Sequence, residues 1–183
     1  LPYDPFSFKR RETPEIDLGR TGAPPVPLSA SLNENILCGG EQTVRVVVTQ
    51  ATWDKVAPRI RPKDDVKPEA IYEDLNVQEI DPTIDFKIHC ETQLVTVKDG
   101  VNLSAITAFR LLAAKLHRLG LNNPILLKDC LNFETTPLPP NIALLRASAV
   151  IGSLLADGIG DAILVRGESG GRQSLRLPFN LLP

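Results

Sequence analysis

From residue 85 onward the apolar and polar positions alternate in ways that separate one element from the next. The runs 86–90 and 94–97 are short and β-prone, which predicts two strands turning one into the other through Glu91 and Thr92. Ala105, Phe109, Leu112, Leu116 and Leu119 then recur at helical spacing, with Ser104 where a cap belongs and Gly120 as a stop. Arg110, Lys115 and Arg118 fall largely on the other side, so this helix covers an apolar surface with one face. Asn123-Pro124 breaks the chain before a predicted strand at 125–128. A second helix follows the proline-rich stretch 132–140, with Ile142, Leu145, Ala149, Gly152 and Leu155 expected inward and Gly158 ending it. After the Gly158-Ile159-Gly160 turn, the run 162–165 is too short and too uniformly apolar for anything except a buried strand.

The first third reads differently. Pro14, Pro24, Pro25 and Pro27 break it up, strands are expected at 26–30 and 44–49, and the segment 59–69 mixes prolines with charges as a solvated excursion does. Strand, helix, strand, helix, strand in the second half predicts an α/β fold with parallel strands and helical crossovers. Two architectures satisfy it: TIM-barrel-like (βα) repeats, or an open parallel sheet with flanking helices. A complete barrel usually takes about 250 residues. With 183 residues, a barrel here must be abbreviated or degenerate in its N-terminal half. The expectation is a single α/β domain over 1–183, with 1–22 as a linker leading into it.

Composition narrows the function classes. At 43% hydrophobic and 23% charged the chain can bury a core, and no apolar run is long enough to cross a bilayer. The opening residues mix aromatics with Lys9, Arg10 and Arg11 in place of a signal-peptide core, so the cytoplasm is the expected compartment. A net charge of −2 with interspersed signs gives no broad field for nucleic acid, and no membrane partner is expected. Cys38, Cys90 and Cys130 are odd in number and widely spaced; they fit neither disulfides nor a metal site and read as buried free thiols. The start at Leu1 and the lack of methionine suggest a piece cut from something larger, or a removed tag.

Candidate chemistry is sparse. Asp157 and Asp161 flank a glycine turn, either as an acid–base pair or, on the structural reading, as a helix stop followed by a strand start. Gly167, Ser169, Gly170, Gly171 and Arg172 follow a late strand, where barrel proteins hold phosphate with backbone amides and an arginine; the same composition also makes a plain surface loop. His89 and His117 lack partners at ligand spacing, Lys9 to Arg11 read as a solvated basic cluster, and Trp53 and Tyr72 read as packing residues.

The stretch Ser153-Leu154-Leu155-Ala156-Asp157-Gly158-Ile159-Gly160-Asp161-Ala162 resembles a signature of the 4-hydroxy-3-methylbut-2-enyl diphosphate synthase family. In that family a similar "LLxDGhGD" run ends the catalytic TIM barrel and, in three-domain members, also the inserted second domain. Ile163-Leu164-Val165 departs from the "IRVSLT" of the catalytic barrel. Phe179-Asn180-Leu181-Leu182 is similar to the "FNLLQ" leading toward the iron–sulfur domain, and "FSFKRRET" at 6–13 resembles an insert's beginning.

The resemblance therefore implies an insert domain, with Asp157, Gly158, Gly160 and Asp161 as structural motif residues and no catalytic or metal-binding residue of its own. It implies a parent iron–sulfur oxidoreductase that reductively converts 2-C-methyl-D-erythritol 2,4-cyclodiphosphate to 4-hydroxy-3-methylbut-2-enyl diphosphate in the non-mevalonate isoprenoid pathway. Its [4Fe-4S] cluster is bound by ligands outside this chain, and ferredoxin or flavodoxin is the electron donor. The implied partners are the catalytic barrel and cluster domain of the same chain or of a dimer partner. The rival reading is an independent phosphate-binding α/β barrel that acts on or senses a small phosphorylated metabolite through the Gly167 to Arg172 loop. A third is a vestigial pocket that binds an isoprenoid diphosphate without converting it.

Overall fold

The computed structural model describes residues 9–18, 36–59, 68–132 and 138–166. The expected strand at 26–30, most of the 59–69 excursion and the C-terminal segment from 167 lie outside them.

A short antiparallel pair, β1 (Ile16–Asp17) with β2 (Leu37–Cys38), precedes a layer of parallel strands. That layer comprises β3 (Arg45–Val48), β4 (Ala70–Ile71), β5 (Val77–Ile80), β6 (Leu94–Val97), β7 (Leu126–Lys128) and β8 (Ala162–Leu164). β4, β3, β8 and β7 pair in that order, β6 pairs with β5, and a parallel bridge from Val95 to Ile125 joins the two groups. The neighbour order is thus β4-β3-β8-β7-β6-β5. The predicted α/β class with parallel strands is what the chain adopts.

Connection length bends this layer. Laid flat, six strands about 4.8 Å apart would separate β4 from β5 by roughly 24 Å. The chain from Ile71 to Val77 makes six Cα steps, which reach about 21 Å at most, and a 3₁₀ turn at Tyr72–Asp74 shortens that reach. β4 and β5 are therefore held nearer each other than a flat layer would place them, and Tyr72 Oη donates to Glu79 Oε1 at 2.6 Å.

Alternate strand residues face two cores. Val46, Val95, Val97, Leu127 and Ile163 pack on one side against α2 (Ala105–Arg118) and α3 (Pro140–Ala156), while Val47, Ala70, Leu94, Leu126, Ala162 and Leu164 pack together on the opposite side. α2 forms as predicted: the Ser104 side chain accepts from Thr107 N, and Phe109, Leu112 and Leu116 are fully buried. Each such side chain contributes about 1.5–3 kcal/mol. Among the described residues of the first half the one α-helix is the seven-residue α1 (Gln50–Val56), capped by Thr49, whose Trp53 and Val56 pack on Val48 and Ile71.

Four expectations need correction. The run 86–90 is not a strand; Phe86 and Ile88 lie half-buried on the outer core, and the Gln78 side chain, instead of a neighbouring backbone, holds it through Lys87 O and His89 N. The strand beside β6 is β5, whose polar Gln78 and Glu79 hid it. In α3 the inward residues are Ala143, Ala147, Ile151 and Leu154, whereas Ile142, Leu145 and Ala149 are exposed, as is Leu119 of α2. Small alanines let the helix seat closely, so the bulkiest stripe is not the buried one. Cys38 is buried and Cys130 partly so, but Cys90 is exposed.

Candidate functional site

The Asp157 to Asp161 turn sits at the end of the parallel layer where β8 begins. Gly158 has φ +76°, and a Cβ there would lie 2.4 Å from the carbonyl oxygen of Lys9. Both facts require glycine at this point: the chain reverses in the left-handed region and the N-terminal arm lies directly against it. Arg11 N donates to Gly158 O at 2.9 Å. Gly160, at φ +122°, lies against Leu127.

The two aspartates do different things. Asp161, 2% exposed, accepts from Arg10 Nη2 at 2.8 Å and Thr13 Oγ1 at 3.0 Å on one oxygen, and from Ile125 N at 2.9 Å on the other. It joins the arm, β8 and the start of β7. Asp157 lies at the surface and pairs with Arg110 of α2 at 2.7 Å. Their partners differ, and the geometry of Asp161 is that of a clamp on the arm.

Arg10 and Arg11 accordingly differ from the solvated cluster expected of them. Arg10 Nη1 donates to Gln42 O at 2.6 Å, and the Arg11 guanidinium donates to Asn123 O and Leu121 O at 2.6 and 2.8 Å. Burial lowers the Arg11 pKa from its ordinary value. Lys9 alone of the three is solvated, paired with Glu12.

At the opposite, C-terminal end of the strands a charged cluster fills the place where α/β proteins bind ligands. The fully buried Lys128 Nζ reaches Glu79 Oε1 at 2.9 Å, Val97 O at 3.0 Å and Asp99 Oδ1 at 3.2 Å, and lies 5.4 Å from the centre of the Tyr72 ring. Arg166, just past β8, grips Asp99 with both terminal nitrogens at 2.7 Å and also donates to Cys130 O. Its backbone N donates to Asp129 at 2.8 Å, and Arg146 of α3 lies 3.4 Å from the other Asp129 oxygen. Three cations face three carboxylates.

The electrostatics follow from this pairing. Burial raises the Tyr72 phenol, and its bond to Glu79 raises it further. Burial works to raise the Glu79 and Asp99 carboxyls, but hydrogen bonds from Tyr72 and Lys128 on Glu79, and from Arg166 and Lys128 on Asp99, hold both below their ordinary values. Burial, with Asp129 adding to it, pushes the Cys130 thiol up to about 11.

Gly167, Ser169, Gly170, Gly171 and Arg172, the proposed phosphate loop, lie outside the described residues. His89 and His117 are exposed and in no cluster, and Trp53 is a buried packing residue as expected. Tyr72 does more than pack, since its hydroxyl meets Glu79. Sequence reasoning missed Lys128, Asp99, Glu79 and Arg166 altogether. A signal existed: Lys128 and Arg166 each stand at or just beyond the end of an apolar strand, at the edge where strand ends converge.

The three thiols do not fit an iron–sulfur cluster. Cys38 contacts Asp161 O at the start of β8, with its thiol pushed up to about 12 by burial and by Asp161; Cys90 is exposed before β6; Cys130 follows β7 at the other end. No group of three metal-binding side chains occurs among the described residues. No helix among them is long and apolar enough to cross a membrane.

No protein-family model matches the chain. It is 34% identical, over 192 aligned positions covering all of it, to the 4-hydroxy-3-methylbut-2-en-1-yl diphosphate synthase (flavodoxin) of Akkermansia muciniphila, and spans 28% of that protein's length. The resemblance carried by Asp157 to Asp161 and its flanks thus extends across the whole chain, which is similar from end to end to one section of a 4-hydroxy-3-methylbut-2-en-1-yl diphosphate synthase.

Proposed function

We propose that this chain is a structural and interaction insert of a three-domain 4-hydroxy-3-methylbut-2-enyl diphosphate synthase, spacing or supporting the parent's catalytic barrel and cluster domain in the cytoplasm. The parent would carry out the reductive conversion of the cyclodiphosphate, with flavodoxin or ferredoxin as electron donor and a [4Fe-4S] cluster held by residues elsewhere. The observation that carries the inert reading is the charge cluster at the strand ends. Lys128 and Arg166, the cations best placed for a phosphorylated substrate, are paired with the chain's own Glu79 and Asp99. The similarity to a 28% section of one synthase supports the parent's identity.

We further infer that the parallel layer is an abbreviated TIM-like barrel of six strands. The order β4-β3-β8-β7-β6-β5 supports it, because β4 and β5 are consecutive in the chain and their ends are bridged by Tyr72 and Glu79. So does the confinement of long helices, among the described residues, to the crossovers after β6 and β7.

The test is complementation in trans. The parent synthase lacking this section is combined with the separate chain, and reductive conversion of the cyclodiphosphate is followed with reduced flavodoxin. Activity restored by a chain that alone turns over nothing supports the proposal. Turnover by the chain alone, or a parent fully active without it, refutes it.

A further inference from the structure

The charge cluster has an asymmetry that a plain structural network does not need. Its cations lie beneath, with Lys128 0% and Arg166 6% exposed at the side chain, while the Asp99 carboxylate above them is 27% exposed. Asp99 stands in the turn that follows β6, beside Gly100, whose φ is +82° and whose N–H donates to Leu131 O at 2.9 Å. A loop-borne carboxylate thus caps a cationic floor built on strand ends. The floor is preorganised. Glu79 and Val97 O orient the Lys128 ammonium, and Cys130 O orients the Arg166 fork.

A guanidinium presenting two parallel N–H donors is the geometry that receives carboxylate or phosphate oxygens interchangeably, and the adjacent ammonium reaches one of the same two oxygens. Two of Asp99's neighbours therefore treat it as a bound oxyanion. We propose that Lys128 and Arg166 form an oxyanion site of phosphate type, and that Asp99 is its built-in occupant, excluding free phosphates from the strand ends. This rests on the reading of the cluster as closed by the chain's own carboxylates, and it names what keeps the section from binding diphosphate.

The experiment measures thermal unfolding and isothermal titration with inorganic phosphate and inorganic diphosphate, against chloride at matched ionic strength. Wild type, Asp99→Ala and Asp99→Asn are compared. Wild type is expected to show no phosphate-specific response. Both variants gain saturable binding at least tenfold tighter than wild type, and adding Lys128→Met to Asp99→Ala abolishes it. Should a variant fail to fold in chloride, recovery of cooperative unfolding in phosphate supports the site, and absence of recovery counts against it.

A folded Asp99→Ala with no phosphate dependence overturns the oxyanion site and leaves the insert reading intact. Phosphate binding by wild type as tight as by the variants overturns both, since Asp99 would then exclude nothing.

Discussion

Replacing Asp161 by alanine should be among the most damaging single changes in the chain. The side chain is 3% exposed and accepts from the Arg10 guanidinium, the Thr13 hydroxyl and the Ile125 N–H. Its loss strands the Arg10 charge, itself only 26% exposed, and leaves a buried backbone donor unsatisfied. Breaking a buried pair by removing one partner costs about 3–5 kcal/mol. That is a large share of the roughly 5–15 kcal/mol by which domains are stable. At roughly 2–4 °C per kcal/mol for a chain of this size, the melting temperature should fall by about 10 °C. Urea unfolding followed by far-UV circular dichroism and by the single tryptophan, buried Trp53, measures the free-energy loss, and thermal unfolding followed by the same signals measures the shift in melting temperature. The companion variant is Asp157→Ala, whose pair with Arg110 is exposed on both sides and should cost less than about 0.5 kcal/mol. Equal losses at the two aspartates, or a loss below about 1 kcal/mol at Asp161, would refute the clamp. The two acids of one motif would then not be divided between a buried tie and a surface pair.

Three further outcomes are expected. Cys90, exposed and lowered by its bonds to Thr92, should react with a disulfide reagent at pH 8 roughly a hundredfold faster than Cys130, and Cys90→Ser should remove the fast phase. On α3, Leu145→Glu should change stability by less than about 0.5 kcal/mol. Ala147→Leu, which overfills a buried position, should cost about 1–3 kcal/mol; equal effects in urea would restore the inward stripe first expected of this helix. Glu79 and Asp99 have folded values below their ordinary ones, so their stabilising contribution is complete above the ordinary carboxylate range and is lost as pH falls through the folded values. Glu79→Gln and Asp99→Asn should therefore narrow their stability deficit relative to wild type between pH 7 and pH 3, and a deficit unchanged with pH would exclude an electrostatic origin.

The second half of the fold was legible because its elements are long or uniformly apolar. α2 announces itself through Ser104, its spaced large residues and Gly120, and β8 through three consecutive buried residues. β5 was not, because Gln78 and Glu79 spend their side chains on the 86–90 run and on Lys128, partners 9 to 49 residues away. The buried face of α3 was misjudged because close packing selects Ala143 and Ala147 over Leu145, a preference that shows only when the neighbouring helix is known. The turn at Asp157 to Asp161 lies between the end of α3 and the start of β8, but its contact with Lys9, Arg10 and Arg11 joins residues some 150 positions apart, beyond the reach of local pattern. The charge cluster was invisible for the same reason: each member is an ordinary charged residue until strand order brings 79, 99, 128 and 166 to one end.

The two ends of the parallel layer are closed by the same device in opposite senses. At the beginning of the strands a buried carboxylate, Asp161, receives the Arg10 cation brought by the N-terminal arm; at the end, buried cations, Lys128 and Arg166, receive carboxylates brought by β5 and the turn after β6. In each case the charge fixed on the strand is met by a group from a separately anchored segment, so neutralisation and closure are one event. At both ends these charges are met by the chain's own side chains, and the helices present a surface of another kind. There Ile142, Leu144 and Leu145 of α3 and Leu119 of α2 stand exposed, apolar side chains outside both cores. An exposed apolar surface of this kind is what the proposed role of spacing a larger enzyme would use. The paired charges and the exposed apolar side chains thus fit the proposed role as a supporting module, which the resemblance first suggested.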